Sequence, residues 1–127
     1  MSDYVLDASV VLALVNREAG YQRMTEFLLT GAISSVNLSE VAAKLCERGL
    51  SDAVVQRDLS SLGLEVVEFD AALAFRAAAL RPLTRKAGLS LADRACLATA
   101  AALDRPALTL DRTWSRVPAG VEIRMLR

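Results

Sequence analysis

Short apolar segments alternate with longer segments of helical periodicity along the whole chain, and this alternation limits the possible folds more than any other feature. Strands that alternate with helices favour a parallel sheet with helices packed on both of its faces. Five strands are predicted, at residues 4–6, 32–36, 64–69, 107–110 and 121–125. The sequence therefore predicts one α/β domain over residues 1–127, with a parallel sheet of about five strands.

Helices are predicted between these strands, because apolar residues recur there at helical spacing. The predicted segments are residues 8–15, 21–29, 38–48, 51–62, 71–80 and 90–103. Gly31 and Gly63 are expected to end the helices that precede them, since glycine is the common residue after a helix. Segment 90–103 is rich in Ala and Leu, which predicts a buried helix.

Composition excludes several kinds of chemistry. The chain contains no histidine, which excludes Ser-His-Asp triads and histidine metal ligands. Its 15 basic and 15 acidic residues balance, so the overall charge does not indicate a nucleic-acid partner. Cys46 and Cys96 are isolated and are interpreted as buried, reduced thiols. No signal peptide or apolar run of about 18 residues is visible, so a soluble, cytoplasmic protein without a membrane segment is expected.

Four acidic residues stand at junctions that lead into helices, and each has an ordinary alternative role as a helix cap. They are Asp7, Glu40, Asp93 and Asp111. Asn37 with Glu40, and Ser90 with Asp93, also have the spacing of a capping box. Taken one at a time, neither the capping role nor a functional role is favoured for Glu40, and capping is favoured for Asp7.

The four acids together favour a metal site. In a parallel sheet the carboxyl ends of the strands meet at one edge, where ligands bind. Carboxylates gathered there repel one another unless a cation joins them, and oxygen ligands suit Mg²⁺ or Mn²⁺ rather than zinc. Ser9 and Thr109 are expected to support these acids from neighbouring positions, as is Asn37.

Four segments, in this order and spacing, resemble the PIN-domain ribonucleases, in particular VapC-type toxins of toxin–antitoxin pairs. They are Val5-Leu6-Asp7-Ala8-Ser9, Ser34-Ser35-Val36-Asn37-Leu38-Ser39-Glu40-Val41, Leu91-Ala92-Asp93-Arg94-Ala95-Cys96-Leu97-Ala98 and Thr109-Leu110-Asp111-Arg112-Thr113-Trp114. Each motif is short, but four in order over essentially the whole chain form a fairly specific signal.

The resemblance implies that Asp7, Glu40 and Asp93 are the main metal-binding acids and that Asp111 is a fourth, more variable one. It implies a metal-dependent endoribonuclease that cleaves RNA such as tRNA or ribosomal RNA by Mg²⁺- or Mn²⁺-assisted phosphodiester hydrolysis. It also implies a cognate antitoxin that inhibits the enzyme, and a homodimer. The apolar helices at 21–29 and 38–62 are expected to form a groove for an antitoxin helix or a second copy, or else plain core.

Basic residues near the acids are candidate RNA contacts, although solvated charge is the ordinary role for most of them. The main candidates are Arg85, Lys86, Arg112 and Arg116, with Arg17, Lys44 and Arg48 further away. Arg94 is interpreted as a phosphate clamp, a partner of an acid, or a solvated charge. Trp114 is expected to pack in the core rather than to stack on a base.

Three other functions share some of these features. A phospho-acceptor receiver domain requires a paired acid after its first strand and a late lysine, but Leu6 precedes Asp7 and Leu110 precedes Asp111. An Asp-x-Asp phosphatase requires a second carboxylate, and the sequence has Asp7-Ala8-Ser9. The third alternative is a non-catalytic α/β protein-interaction module whose acids are helix caps.

Overall fold

Five parallel strands form one sheet in the order β3-β2-β1-β4-β5. The computed structural model describes residues 3–117 and 120–126. The strands are β1 Tyr4–Leu6, β2 Gly31–Ser34, β3 Glu65–Val67, β4 Ala107–Thr109 and β5 Ile123–Met125. Every strand pairing is parallel. The predicted α/β fold and its five-stranded parallel sheet are confirmed.

Helices connect the strands. They are α1 Ala8–Val15, α2 Ser35–Glu47, α3 Asp52–Ser60, α4 Ala71–Ala79, α5 Arg81–Thr84 and α6 Leu91–Leu103, with 3₁₀ helices at Tyr21–Leu28 and Arg112–Arg116. Polar side chains cap the N-termini of several helices: Ser51 accepts from Val54 N, and Asp70 accepts from Leu73 N. No helix in the described part of the chain is long and apolar enough to cross a membrane.

Both faces of the sheet are covered, because consecutive residues of a strand point to opposite sides. Leu6, Ile33 and Leu108 pack with residues of α1, α2 and α3 on one face. Their neighbours Val5, Ala32 and Ala107 pack on the other face, against α6 and the fully buried Trp114. Helices therefore lie on both faces as predicted, and Trp114 is the packing residue that was expected.

The second strand and the segment before it differ from the prediction. The strand ends at Ser34 rather than at Val36, because the Ser34 hydroxyl accepts from Val36 N and caps α2. Residues 21–28 form a 3₁₀ helix rather than an α-helix. Gly31 does not end that helix but begins β2, where a Cβ atom would lie 2.2 Å from Leu6 Cδ1 and 2.6 Å from the Phe27 carbonyl oxygen. This position therefore requires glycine for space.

The chain order of the strands reverses at β1. From β1 the sheet runs to β2 and β3 on one side, and to β4 and β5 on the other. Leu6 pairs with Leu108. The next residues along the two strands, Asp7 and Thr109, therefore lie side by side where these strands end. Ligands of open α/β sheets bind at the carboxyl ends of the strands where the order reverses in this way. The fold thus places Asp7 at the most favourable point for a site.

Candidate acidic active site

Asp7 occupies the N-cap position of α1 but does not act as its cap. Its side chain makes no capping hydrogen bond. The carboxylate is 4% exposed, and its Oδ2 accepts from Ser9 Oγ at 2.7 Å and from Thr109 Oγ1 at 2.9 Å. This nearly buried carboxylate is therefore held by side-chain hydroxyls from α1 and β4, and it does not cap α1.

The two hydroxyls beside Asp7 are themselves held by backbone N–H groups. Ser9 Oγ accepts from Leu110 N at 3.0 Å, and Thr109 Oγ1 accepts from Asp111 N at 3.0 Å. Each hydroxyl hydrogen is therefore directed at Asp7, because each hydroxyl oxygen already receives a donor. This network fixes one oxygen of Asp7 at the boundary between β1 and β4, and it places Ser9 and Thr109 beside that oxygen.

Glu40 lies in the second turn of α2 and is half-buried. The predicted capping box of Asn37 and Glu40 is wrong, since Ser34 caps this helix. Instead Asn37 Nδ2 donates to Glu40 Oε1 at 3.1 Å and to the Ala92 carbonyl oxygen at 3.0 Å. Asn37 thus connects Glu40 to the beginning of α6.

Asp93 lies in the first turn of α6 and does form a capping box with Ser90. Ser90 Oγ accepts from Asp93 N at 3.2 Å, and Asp93 Oδ2 accepts from Ser90 N at 2.9 Å. These bonds engage one carboxylate oxygen of the half-buried Asp93. Capping is therefore a real role of Asp93, and it leaves the carboxylate in the first turn of α6, next to the Asn37 bridge.

Asp7, Glu40 and Asp93 influence one another through their charges. Burial raises the pKa of Asp7, the hydroxyls of Ser9 and Thr109 oppose that rise, and the charge of Asp93 adds to it. Burial also raises the pKa of Glu40; Asn37 opposes the rise, and the charges of Asp7 and Asp93 add to it. The fold therefore brings these three predicted acids into one electrostatic environment.

Asp111 is arranged differently from the other three acids. Its Oδ1 accepts from Thr113 N at 2.9 Å and from Thr113 Oγ1 at 2.7 Å, so it caps the 3₁₀ helix that follows it. Its charge is not among the causes that shift the pKa of Asp7 or Glu40. Asp111 is tied to the other acids through its backbone N–H on Thr109 rather than through its carboxylate.

The donor set around these acids is composed of oxygens. Cys96 is fully buried behind them, and burial together with the charges of Asp7 and Asp93 holds its pKa well above the ordinary value, so it stays a neutral thiol. Carboxylate oxygens suit a hard divalent cation. Within residues 3–117 and 120–126, no three acidic or cysteine side chains are already close enough together to hold a metal ion. The residues fit such a cation by their chemistry, and their oxygens would have to move closer to hold it.

The other cysteine, Cys46, lies near the end of α2. Cys46 is exposed on α2, which corrects the prediction that both thiols are buried. The apolar stripe of α2 faces the core through Val41 and Leu45, and Cys46 follows on the exposed side. Both cysteines are free.

The basic residues occupy two kinds of position. Arg85, Lys86 and Arg112 are exposed, as RNA contacts must be, and the side chain of Arg116 lies outside the described part of the structure. Arg94 Nη1 donates to the Ala77 carbonyl oxygen at 3.1 Å, near the end of α4. Arg94 therefore joins two helices, a role that was not among its predicted ones.

An apolar groove lies on the side of the sheet that α2 and α3 cover. It has a volume of about 390 Å³ and is lined mainly by aliphatic side chains, among them Leu38, Val55, Leu59 and Leu64. Asp52 and Gln56 stand among these lining residues. The predicted groove is thus present at residues 38–62, but none of the described residues that line it comes from 21–29, the other segment that was predicted to form it.

A family model matches almost the whole chain. The model of the PIN domain matches residues 4–120. The chain belongs to the PIN-domain family. The matched range contains all four predicted acids, and it confirms the family resemblance that their four motifs indicated. No match was found among curated protein sequences.

Solved structures of toxin–antitoxin proteins have the fold of this PIN domain. A chain of VapBC2 from Rickettsia felis, bound to a promoter DNA fragment, is 22% identical with a TM-score of 0.76 over 98% of both chains. A chain of DNA-bound VapBC from Salmonella typhimurium is 20% identical with a TM-score of 0.76, also over 98% of both. VapC20 of Mycobacterium tuberculosis, a toxin that cleaves the sarcin–ricin loop, is 20% identical with a TM-score of 0.72 over 88% of this chain and 92% of that chain. At these identities the likeness establishes a common fold.

Proposed function

We propose that this PIN domain is a divalent-cation-dependent endoribonuclease, the VapC-type toxin of a toxin–antitoxin pair, which cleaves structured RNA such as tRNA or ribosomal RNA. One observation carries the proposal: Asp7 is nearly buried at the reversal point of the sheet, caps nothing, and shares its environment with Glu40 and Asp93. A carboxylate that is buried at this cost and does not cap its helix is typical of a functional site. The structural likeness to VapC20, whose own target is the sarcin–ricin loop, supports RNA as the substrate.

The four acids are proposed to hold Mg²⁺ or Mn²⁺, with Asp7 and Asp93 as the main ligands and Glu40 and Asp111 completing the set. A divalent cation bound there supplies an activated water and neutralises the charge that builds on the phosphate. Ser9 and Thr109 hold Asp7 in place and oppose the rise of its pKa that burial causes, because hydrogen bonds to a carboxylate favour its charged form. No side chain of the chain is required as the nucleophile.

Exposed basic side chains are proposed to bind the RNA backbone around the acidic centre. Arg85 and Lys86 lie in the turn that leads to Ser90 and α6, and Arg112 follows Asp111 directly. Arg116 is retained as a fourth candidate from its position in the sequence. Contacts of this kind neutralise phosphates, so RNA binding is expected to weaken as salt rises.

Two protein partners are proposed. A cognate antitoxin is supported by the VapBC neighbours, which are toxin–antitoxin proteins of the same fold, and the groove lined by Leu38, Val55 and Leu59 offers it an apolar surface. A second copy of the chain is supported by Phe75, which is 77% exposed on α4, and by Leu83, exposed on α5. Large apolar side chains exposed in this way are typical of interfaces.

The alternative of a non-catalytic interaction module has its own support. Asp93 completes the capping box of α6, and Asp111 caps the 3₁₀ helix that follows it, which are roles that this alternative assigns to all four acids. The side chains of Asp7 and Glu40 do not cap their helices, and the N-cap of α2 is Ser34. The two functions therefore differ most sharply at Asp7.

An RNA cleavage assay with Asp7→Asn tests the proposal, and Asp70→Asn is the matched control. Asn caps helices about as well as Asp, so both substitutions remove a charge and retain any cap. The Asp70 carboxylate is a true cap, since it accepts from Leu73 N at 2.9 Å. We expect Mg²⁺- or Mn²⁺-dependent cleavage by the wild type, loss of it with EDTA, a decrease of at least about 100-fold for Asp7→Asn, and no change for Asp70→Asn. Full cleavage by Asp7→Asn would refute the catalytic site, and binding of an antitoxin without any cleavage by the wild type would favour the interaction module.

A further inference from the structure

Asn37 is the best-placed polar side chain that the proposed chemistry does not use. It is fully buried, so it cannot touch an RNA substrate. Its Nδ2 group donates to Glu40 Oε1 at 3.1 Å and to the Ala92 carbonyl oxygen at 3.0 Å. One amide group therefore bridges the helix that carries Glu40 and the helix that carries Asp93.

The fold itself gains little from an amide at this position. Within the described residues, Asn37 Oδ1 is buried and has no hydrogen-bond partner. A buried polar atom in this condition opposes folding, and an apolar side chain of the same branched shape avoids that penalty. The Ala92 carbonyl also lies in the first turn of α6, where it accepts from the helix backbone. The contact that an apolar residue cannot replace is the one to Glu40.

We propose that Asn37 is a positioning residue, which fixes the Glu40 carboxylate relative to Asp93 by tying α2 to α6. Both amide hydrogens are used, one on each helix, so the position of Glu40 follows that of α6. Residues that hold a metal-binding side chain in place typically contribute 10–100-fold to metal affinity or activity. This inference rests on the proposed function where it concerns the cation, and on geometry alone where it concerns the bridge.

The bridge is tested without catalysis by NMR of side-chain amides in the wild-type protein. The chain has only two asparagines, Asn16 and Asn37, and two glutamines. Asn37→Leu assigns its own signals, and Asn16 is the matched control because it lies at the end of α1 and accepts from Arg48 Nη1. We expect slow hydrogen exchange at both Asn37 amide hydrogens, fast exchange at Asn16, and loss of protection at one Asn37 hydrogen in Glu40→Ala. Fast exchange at Asn37 in the wild type would overturn the bridge.

The positioning role is tested by a double-mutant cycle in Mn²⁺ affinity, measured by calorimetry without RNA. Asn37→Leu is expected to weaken Mn²⁺ binding by about 10-fold or more and to lower kcat, with KM for RNA unchanged because Asn37 is buried. In the Glu40→Ala background it should add no further loss, since interacting residues are not additive. Equal losses in both backgrounds would show a general structural effect and overturn the proposal.

The two hypotheses fail in distinguishable ways. A wild-type protein that neither binds Mn²⁺ nor cleaves RNA refutes the proposed function, and the amide exchange experiment still decides whether Asn37 makes the bridge. A wild-type protein that binds and cleaves, with an Asn37→Leu variant that folds and matches it in Mn²⁺ affinity and kcat, refutes the positioning role alone. If Asn37→Leu does not fold, the loss of protection in Glu40→Ala remains as the test.

Discussion

Thr109→Val removes one hydroxyl from the centre of the acidic site with little change in shape. Thr109 is fully buried, donates to Asp7 Oδ2 at 2.9 Å and accepts from Asp111 N at 3.0 Å. A hydrogen bond to a charged group contributes about 1.5–3 kcal/mol, and an N–H left without a partner costs about 1 kcal/mol more. The expected loss of unfolding free energy at pH 7 is therefore about 3 kcal/mol.

Thr99→Val is a closely matched control. Thr99 is also fully buried, but its hydroxyl donates only to the neutral Ala95 carbonyl oxygen at 2.8 Å. Loss of such a bond costs about 0.5–1.5 kcal/mol. Thr109→Val should thus be less stable than Thr99→Val by about 2 kcal/mol, which corresponds to roughly 6–10 °C in Tm for a chain of this length. Urea unfolding followed by the fluorescence of Trp114, the only tryptophan, measures the difference.

The dependence on pH separates the charge of Asp7 from simple packing. The pKa of Asp7 is raised above 3.8 by burial, and the Thr109 hydroxyl opposes that rise. The pKa of this carboxyl group is higher in the folded than in the unfolded protein. Its contribution to stability is therefore full when the pH is below the unfolded-state pKa, and it is lost as the pH rises through the folded-state pKa. Thr109→Val raises the folded pKa further, so it loses more stability than the wild type as the pH rises. The deficit of Thr109→Val should shrink between pH 7 and pH 4, while that of Thr99→Val stays constant; equal deficits at both values would refute the assigned hydrogen bond.

Asp7→Asn should raise the Tm of the cation-free protein at pH 7, because burial and the charge of Asp93 raise the pKa of Asp7 and make its ionised form unfavourable in the fold. Thermal melts in EDTA measure this change, and a lowered Tm would contradict the prediction. Asp111→Asn should reduce RNA cleavage less than Asp7→Asn does, since the Asp111 carboxylate is directed at Thr113; single-turnover rates compare the two, and equal losses would count against this order. The double substitution Arg85→Ala with Lys86→Ala should raise KM at constant kcat. It should also reduce the slope of log KM against log salt by about 0.7 for each phosphate that the protein no longer neutralises. An unchanged slope would exclude both side chains from the RNA interface.

Sequence patterns predicted the sheet well, because strand-to-helix alternation is a local signal that also determines where the strands end. They located Asp7, Ser9 and Thr109 for the same reason: parallel strands that pair side by side end at one edge of the sheet. The end of β2 was misplaced at Val36, since an apolar residue after two serines fits a strand equally well. The cap that Ser34 provides decided the boundary.

The bond from Asn37 to α6 and the role of Arg94 were beyond prediction, because these partners are distant in sequence. Asn37 contacts Ala92 across 55 residues, and Arg94 contacts Ala77 across 17. Spacing left a capping box or a supporting role open for Asn37 and indicated charge-based roles for Arg94, since local patterns contain only local partners. Asp111 was grouped with the other acids because the sequence shows that it follows β4. The sequence does not show that its carboxylate accepts hydrogen bonds from Thr113.

The bond between Thr109 and Asp7 spans 102 residues and has a consequence for the protein during its own synthesis. On the ribosome the chain emerges from its N-terminus, and contacts between distant residues form last. A nascent or prematurely terminated chain that lacks β4 contains Asp7, Glu40 and Asp93, yet it has neither the strand that pairs with β1 nor the hydroxyl that fixes Asp7. Translation products that end before β4, at Ala107, are therefore expected to lack the proposed RNA cleavage.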